Sequence, residues 1–514
     1  MQPVSTAWVA EQEKNFVGES FVEIILDVGD PDAQADASES DNGHEAFSNS
    51  GNIVREVEKK PTRYATAEHN IWRLDGSAEL LPTSGYGEQG YVGNALSDAE
   101  GRYGVTPTIT VSFSAAVGSI TPGITIVWGE AYEEFADTFR VTVYSGNVTV
   151  WQETVTENRD VTSVLMKDAT GFDRITVEIL KWCLPYRRAR IKELVIGIRR
   201  TYTKSDLMGY THEMTVDALS ATLPKSEIVF EVKNLNGEYN PDNIEGFTQY
   251  LMTRQDITAR YGYKLNGSTE WIKAGTFFLS EWDLPQNGIT ATFTARDSLE
   301  YMNDVYTGPV SGTLYEIATA AMNQAGLPLM EDGSIRWTID GLLKNINAPP
   351  NVELQEGTTV AEVLQYCANA ACCVFYQDRS GLLHIEPLPD GETDYKIDRF
   401  VSYADSESNL LKQLKAVNVN NGQYVMPVGT VGETQPISNP LISDAQAPIV
   451  SAWAASYLQN RKTLSGQFRA DPRLDALDRA TVKNKYAENT VLVTTVKYSF
   501  NGAFRGDYEG RAGA

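Results

Sequence analysis

The chain has 514 residues, too many for a single hydrophobic core, and ordinary domain sizes predict three or four domains. Hydrophobic residues make up 42% and charged residues 22%, a folded, strand-rich composition that excludes a disordered or fibrous protein. The formal net charge of −25 excludes a protein that grips nucleic acid, because phosphate binding needs clustered Lys and Arg, although an acidic wall still lets a polyanion slide past it.

Met1 to Phe16 carries neither a basic n-region nor an apolar core, and no apolar run approaches the roughly 20 residues that span a bilayer. The expectation is a chain made as a soluble cytosolic protein. Phe21 to Val28 (FVEIILDV) predicts a strand, and the acidic, Ser-rich stretch from Gly29 to Gly51 predicts a loop. From about Arg63 to Gly197 short strands recur at regular spacing: Thr108 to Phe113, Ile124 to Trp128, Thr138 to Tyr144, Thr149 to Val155, Arg174 to Leu180 and Ile191 to Ile198. Their alternation predicts an antiparallel sandwich, with a hairpin turn at Tyr144 to Val148.

A second β-rich segment begins at Thr211 and runs through Glu227 to Val232, Asp256 to Leu265, Lys273 to Trp282 and Ile289 to Ala295, with a turn at Asn287-Gly288. The period then changes to that of a helix. Thr313 to Ala325 places Leu314, Ile317, Ala318, Ala321 and Met322 on one face, with Thr313 and Glu316 in capping-box register and Gly326 as the stop. Thr359 to Ala371 repeats the device with Thr359 and Glu362. Cys373 to Gln377 and Leu382 to Pro387 predict a hairpin around Asp378 to Gly381. A strand at Leu414 to Val419, a Gly/Pro-rich loop at Val425 to Pro440 and a helix near Ala445 to Gln459 follow. Three strands close the chain, at Leu464 to Ala470, Thr490 to Val496 and Ala503 to Gly510, with Asp471-Pro472-Arg473 as a sharp corner. The four cysteines, Cys183, Cys367, Cys372 and Cys373, lack the paired spacing of a disulfide framework or zinc site and read as buried thiols.

Two parts of the chain resemble known families. Tyr64 to Gly76 (YATAEHNIWRLDG), Thr108 to Phe113, Asp173 to Ile179 (DRITVEI) and Tyr186 to Leu194 (YRRARIKEL) look like a discoidin, or F5/8 type C, domain. The second part resembles the tail-tip hub proteins of phages of Gram-positive bacteria. Its marks are Asn240-Pro241-Asp242-Asn243, Gly275 to Trp282 (GTFFLSEW), Ala295 to Tyr301 (ARDSLEY), the helix and hairpin of Val360 to Pro387, Asp471 to Leu474, Tyr498 to Phe504 and Tyr508 to Arg511, in that order. The resemblance implies a mainly β fold with a smaller α+β part. Residues 1–60 and 204–300 would form a discontinuous N-terminal hub β-barrel, 61–203 an inserted discoidin-like β-sandwich, 301–400 an α+β middle domain and 401–514 a C-terminal hub β-barrel. It implies a homotrimer at the virion tail tip that meets the distal-tail ring, tape-measure and adsorption proteins and lets phage DNA pass. A peripheral adsorption protein and a distal-tail ring protein are its rivals within the tail class.

A discoidin-like sandwich binds with the loops at one end, and here these carry Tyr86, Tyr91, Arg102, Tyr103, Trp128, Glu130, Tyr132, Trp182, Tyr186 and Arg187. Aromatic faces stack on sugar rings while Glu and Arg bond hydroxyls, which suits a host polysaccharide. The same side chains equally serve as core or as packing against neighbouring proteins, and Arg187, Arg188 and Arg190 equally balance an acidic neighbour. For catalysis, His44, His69, His212 and His384 form no metallopeptidase pattern, and there is no Gly-x-Ser-x-Gly elbow and no phosphate loop. Glu133 with Glu134, or Glu130 with Asp137, imitates a glycosidase dyad, but such pairs arise by chance among 68 carboxylates. The expectation is therefore no catalytic residue and no cofactor, with Asp- and carbonyl-rich loops such as Asp98 to Arg102 able to hold a structural calcium.

Overall fold

The computed structural model describes residues 1–514 apart from 15, 46–47, 50, 52, 55–62, 65–67, 70, 72–77, 80–87, 244–245, 266–267, 285–287, 331–333, 390–394, 399–400 and 514. The fold is mainly β with a small helical part, as expected. Its frame is one sheet of 13 strands. Along one path run Gly197–Tyr202, Ser20–Gly29, Asp256–Leu265, Ser268–Asp283, Thr290–Arg296, Lys225–Lys233 and Leu207–Thr215. The path continues through Glu488–Phe500, Phe504–Ala512, Lys462–Phe468 and Glu407–Leu410. The two expected barrels are thus joined, because Leu207–Thr215 pairs antiparallel with Glu488–Phe500 from Tyr210 opposite Phe500 to Thr215 opposite Thr495. No ring of strands closes among the described residues. Period-2 patterning builds this sheet: Val22, Ile24, Leu26 and Val28 point inward from one strand and Ile228, Phe230 and Val232 from another, into a shared core with Trp8, Tyr261, Phe277 and Tyr498.

The second core belongs to the helices. Leu314–Ala325 and Val360–Ala370 start with complete capping boxes, in which the Thr hydroxyl accepts from the Glu amide and the Glu carboxylate accepts from the Thr amide. Ala447–Leu458 and the strand Leu414–Val419, which lie C-terminal to the expected middle domain, bury Val450, Ala454, Val417 and Val419 in the same core. The hairpin Val374–Gln377 and Leu383–Glu386 turns through Asp378 to Gly381 as expected, with Gly381 in the left-handed region. Cys367 and Cys373 are buried, Cys183 and Cys372 half-buried, and all four are free.

The inserted sandwich starts earlier than its expected boundary at residue 61. The stretch expected as a loop after Gly29 holds a helix, Pro31–Asp36, capped by Asp30, and a strand, Ser38–Asp41, that pairs with Thr108–Val117. The insert leaves the frame at Gly29 and returns at Gly197, and these two residues face each other across adjacent antiparallel strands. A Cβ on either glycine would run into a carbonyl, that of Ile196 or that of Val28. The five-stranded sheet of the sandwich runs Val148–Val155, Ala136–Ser145, Phe172–Trp182, Thr108–Val117 and Ser38–Asp41. Its inner face packs Val111, Phe139, Val141, Ile175 and Val177 into a third core. No helix among the described residues is long and apolar enough to cross a membrane.

Candidate functional site

At the expected binding end of the sandwich several of the side chains are turned into the protein. Tyr91, Trp128, Trp182 and Arg187 are buried. Trp128 Nε1 donates to Ser163 Oγ at 2.9 Å, and the Tyr91 hydroxyl donates to the Gly43 carbonyl at 3.1 Å. Trp182 Nε1 donates to Glu134 Oε2 at 2.8 Å while Arg187 Nε sits 3.1 Å from Glu134 Oε1. Burial raises the Glu134 pKa, against the opposing pull of the Trp182 hydrogen bond and the Arg187 charge. Arg190 makes two 2.7 Å bonds to the Glu68 carboxylate, and its guanidinium lies 4.6 Å from the centre of the Tyr132 ring. Arg188 pairs with Glu45 at 2.5 Å. The three arginines therefore do balance acidic neighbours, the second of the two readings that the sequence left open.

The remaining loop residues divide. Tyr103 is half-buried and reaches the Arg187 carbonyl at 3.4 Å, and Glu130 bonds Lys192 on the surface. Arg102 is exposed, and Tyr186 is exposed against the His69 ring at 4.4 Å. Tyr86 and the Leu74-Asp75-Gly76 motif lie outside the described residues, as does Asn287 of the expected turn. Asp98 Oδ1 accepts from the backbone amides of Glu100 and Arg102 at 2.9 and 2.8 Å, so it caps its own loop. No cluster of three metal-ligating side chains occurs among the described residues.

A dense polar network lies instead where several segments of the chain meet. Arg379, at the tip of the middle hairpin, bonds Asp475 Oδ1 at 2.5 Å, the Leu474 carbonyl at 3.1 Å and the Lys273 carbonyl at 3.4 Å. The corner expected at Asp471-Pro472-Arg473 supplies the other anchors. Tyr498 donates to the carbonyls of Asp471 and Leu474, Trp8 Nε1 approaches Asp471 Oδ1 at 3.4 Å, and Gln2 donates to Asp475 Oδ2 at 2.7 Å. The amino group of Met1 closes the set on Asp478 at 2.6 Å. None of these pairings is visible in sequence, since the partners come from five separate segments.

His212 lies fully buried beside this network, with Nδ1 2.6 Å from the Tyr261 hydroxyl, Nε2 3.2 Å from Ser226 Oγ and the Phe277 ring edge-on at 5.2 Å. Burial, helped by the Arg379 charge, lowers its pKa well below 6.5. The folded chain thus keeps a neutral imidazole while the unfolded chain binds a proton below about pH 6.5. Stability from this group is complete above that pH and falls as the pH drops below it, by up to about 1.4 kcal/mol per unit for one proton. Asp297 acts in the opposite sense: burial pushes it up to about 7, so its contribution is complete below about pH 4 and is lost as the pH rises to 7. His212→Gln is therefore expected to flatten the acid side of the stability profile between pH 6.5 and 5, read by urea unfolding. Equal slopes in the two proteins would refute the assignment.

No protein-family model matches this sequence, and no curated protein matches it. Among solved structures, the fold is similar to the 43 kDa tail protein of prophage MuSo2 from Shewanella oneidensis, with 12% identity, a TM-score of 0.41 and coverage of 60% of this chain and 93% of that one. A tail protein from Neisseria meningitidis MC58 gives 10% identity, a TM-score of 0.42 and coverage of 61% and 93%. The E. coli c3393 protein, a type VI secretion component described as similar to T4 tail proteins gp27 and gp5, gives 11%, 0.37, 60% and 74%. These neighbours are phage-tail and tail-like proteins; likenesses this loose leave the function of the present chain to its own architecture.

Proposed function

We propose that the chain is a structural, non-enzymatic component of a phage or phage-like tail tip, the central hub that joins the tail tube to the tip. The observation that carries this reading is the single 13-stranded sheet, in which two β-units lie edge to edge within one chain. Three such chains present six β-units, the number needed to match a hexameric tube to a threefold tip. The order of motifs from Asn240 to Arg511 supports the same reading, including its link to phages of Gram-positive bacteria. The distal-tail ring, tape-measure and adsorption proteins are then the neighbours, and phage DNA passes along the acidic axis without sequence-specific contact. The sandwich, held at the frame's edge, is the discoidin-like part that faces outward and meets a host surface glycan.

Mass photometry of the purified chain, followed by negative-stain imaging, tests this. The expected result is three times the chain mass and a ring with an axial channel. A stable monomer that binds glycans would favour a peripheral adsorption protein, and a sixfold ring a distal-tail protein; either result overturns the hub.

A further inference from the structure

A cavity of about 600 Å³ lies between the helix Thr6–Gln12, the strand Lys396–Ile397 and the chain that follows Lys462–Phe468. Arg469 ties two of its walls together, because Nη2 and Nη1 donate to the carbonyls of Gln12 and Lys14 at 2.6 and 2.7 Å at the end of that helix. Three polar groups on the lining are left without a partner among the described residues. Gln12 is only 7% exposed, and its buried Nε2 makes no hydrogen bond. Tyr395 is only 8% exposed, and its hydroxyl makes none. Arg473 gives Nε and Nη2 to Asp471 Oδ2 at 2.8 and 2.5 Å, which leaves Nη1 unused. Buried polar groups are as a rule bonded, and an unmet donor costs the full loss of its water, so three around one cavity mark a place whose acceptor comes from outside the chain.

We infer that this cavity binds a single carboxylate carried on an apolar stem. All three unmet groups donate: an amide N–H, a phenol O–H and a guanidinium N–H. An ionised carboxylate is their complement, since it only accepts and offers about four lone-pair sites on two oxygens. Burial raises the Tyr395 pKa well above 10, so the hydroxyl keeps its proton and stays a donor at neutral pH. Charge narrows the ligand further. Arg469, Arg473 and Lys396 against Glu13 and Asp398 on the lining tolerate one negative charge and oppose a second, which disfavours a phosphate or a polyanion. Val9 and Val401 give the stem an apolar surface. The carboxylate can come from two sources, a free organic acid or an acidic side chain of a neighbouring protein, and the same three donors serve both.

This inference goes beyond the tail-hub reading and needs no trimer. Isothermal titration of the full chain with hexanoate and with the peptide acetyl-Leu-Glu amide, against methyl hexanoate and hexyl phosphate, tests it. At least one of the two carboxylates is expected to bind at one site per chain, and the ester and the phosphate about tenfold more weakly or not at all. Gln12→Leu and Tyr395→Phe should each weaken carboxylate binding by on the order of tenfold, while the melting temperature of the empty protein holds or rises because each removes an unmet donor. Lys344→Gln, whose ammonium lies over the Tyr315 ring in the helical unit, should leave binding unchanged. Tighter binding of the peptide assigns the site to a partner protein, and tighter binding of hexanoate assigns it to a free acid. No binding of either carboxylate, equal binding of the ester or the phosphate, full binding by a folded Tyr395→Phe, or loss of binding in Lys344→Gln would overturn the proposal. A fall in the melting temperature of empty Gln12→Leu and Tyr395→Phe would overturn it too, by showing that these groups are already bonded.

Discussion

Arg379→Ala is expected to lower stability by about 3–5 kcal/mol, the cost of removing one partner from a buried ion pair. Arg379 is almost wholly inaccessible and Asp475 mostly so, with side-chain exposures of 4% and 18%. The guanidinium links three parts of the chain: the hairpin that carries it, the first half of the sheet through the Lys273 carbonyl, and the 471–475 corner. Its removal leaves the Asp475 carboxylate with Gln2 as a partner and with the Asp478 carboxylate close by, so repulsion adds to the lost hydrogen bonds. Arg379→Lys keeps the charge but not the fork and should recover only part of the loss. Arg379→Met combined with Asp475→Leu should recover more, since an apolar pair leaves no unpaired charge. Guanidinium unfolding with hydrogen exchange on Val374–Gln377 and Leu383–Glu386 reads the effect locally. A loss under about 1 kcal/mol would mean that water reaches the pair and that the units are held by apolar packing alone.

Local features were legible in the sequence and distant ones were not. The capping boxes at Thr313 and Thr359 and the turn at Asp378 to Gly381 depend on residues at most four apart, so composition and spacing sufficed to place them. The helix Pro31–Asp36 was also legible in principle, because Asp30 followed by Pro31 is a helix start, but the acidic and Ser-rich surroundings suggested a loop. The joining of the two β-units was not legible, since it rests on Leu207–Thr215 meeting Glu488–Phe500 and strand pairing leaves no sequence mark of its partner. The loop residues show the same limit. An Arg or Trp at a sandwich end looks like a binding residue until its acid appears, and Glu68 stands 122 residues from Arg190.

Arg199→Ala is expected to free the sandwich from the frame while leaving both folded. Arg199 Nε and Nη2 bond the Asp27 carboxylate at 2.7 and 2.6 Å, and Nη1 and Nη2 bond Glu193 at 2.6 and 2.7 Å. Asp27 belongs to the frame and Glu193 to the sandwich, so one planar guanidinium holds the two together. The crossing points at Gly29 and Gly197 have no side chains of their own to resist rotation. Other supports near the crossing include Thr125 Oγ1, which donates to the Gly197 carbonyl at 3.2 Å and accepts from the Arg199 amide at 3.1 Å, Gln255 Nε2 donating to the Gly29 carbonyl at 3.1 Å, and the Tyr250 hydroxyl donating to Asp168 at 3.0 Å. Deleting the arginine leaves two mostly buried carboxylates facing each other, with a cost of about 3–5 kcal/mol that swinging the insert outward relieves. Small-angle scattering should record a larger radius of gyration, and protease should cut near residues 30 and 196 while the strands of both units stay protected from hydrogen exchange. Asp27→Asn and Glu193→Gln added to Arg199→Met remove the repulsion and should restore the compact form. An unchanged radius in Arg199→Ala would show that the strand ladder from Ile24 opposite Tyr202 to Gly29 opposite Gly197 fixes the insert without the clamp.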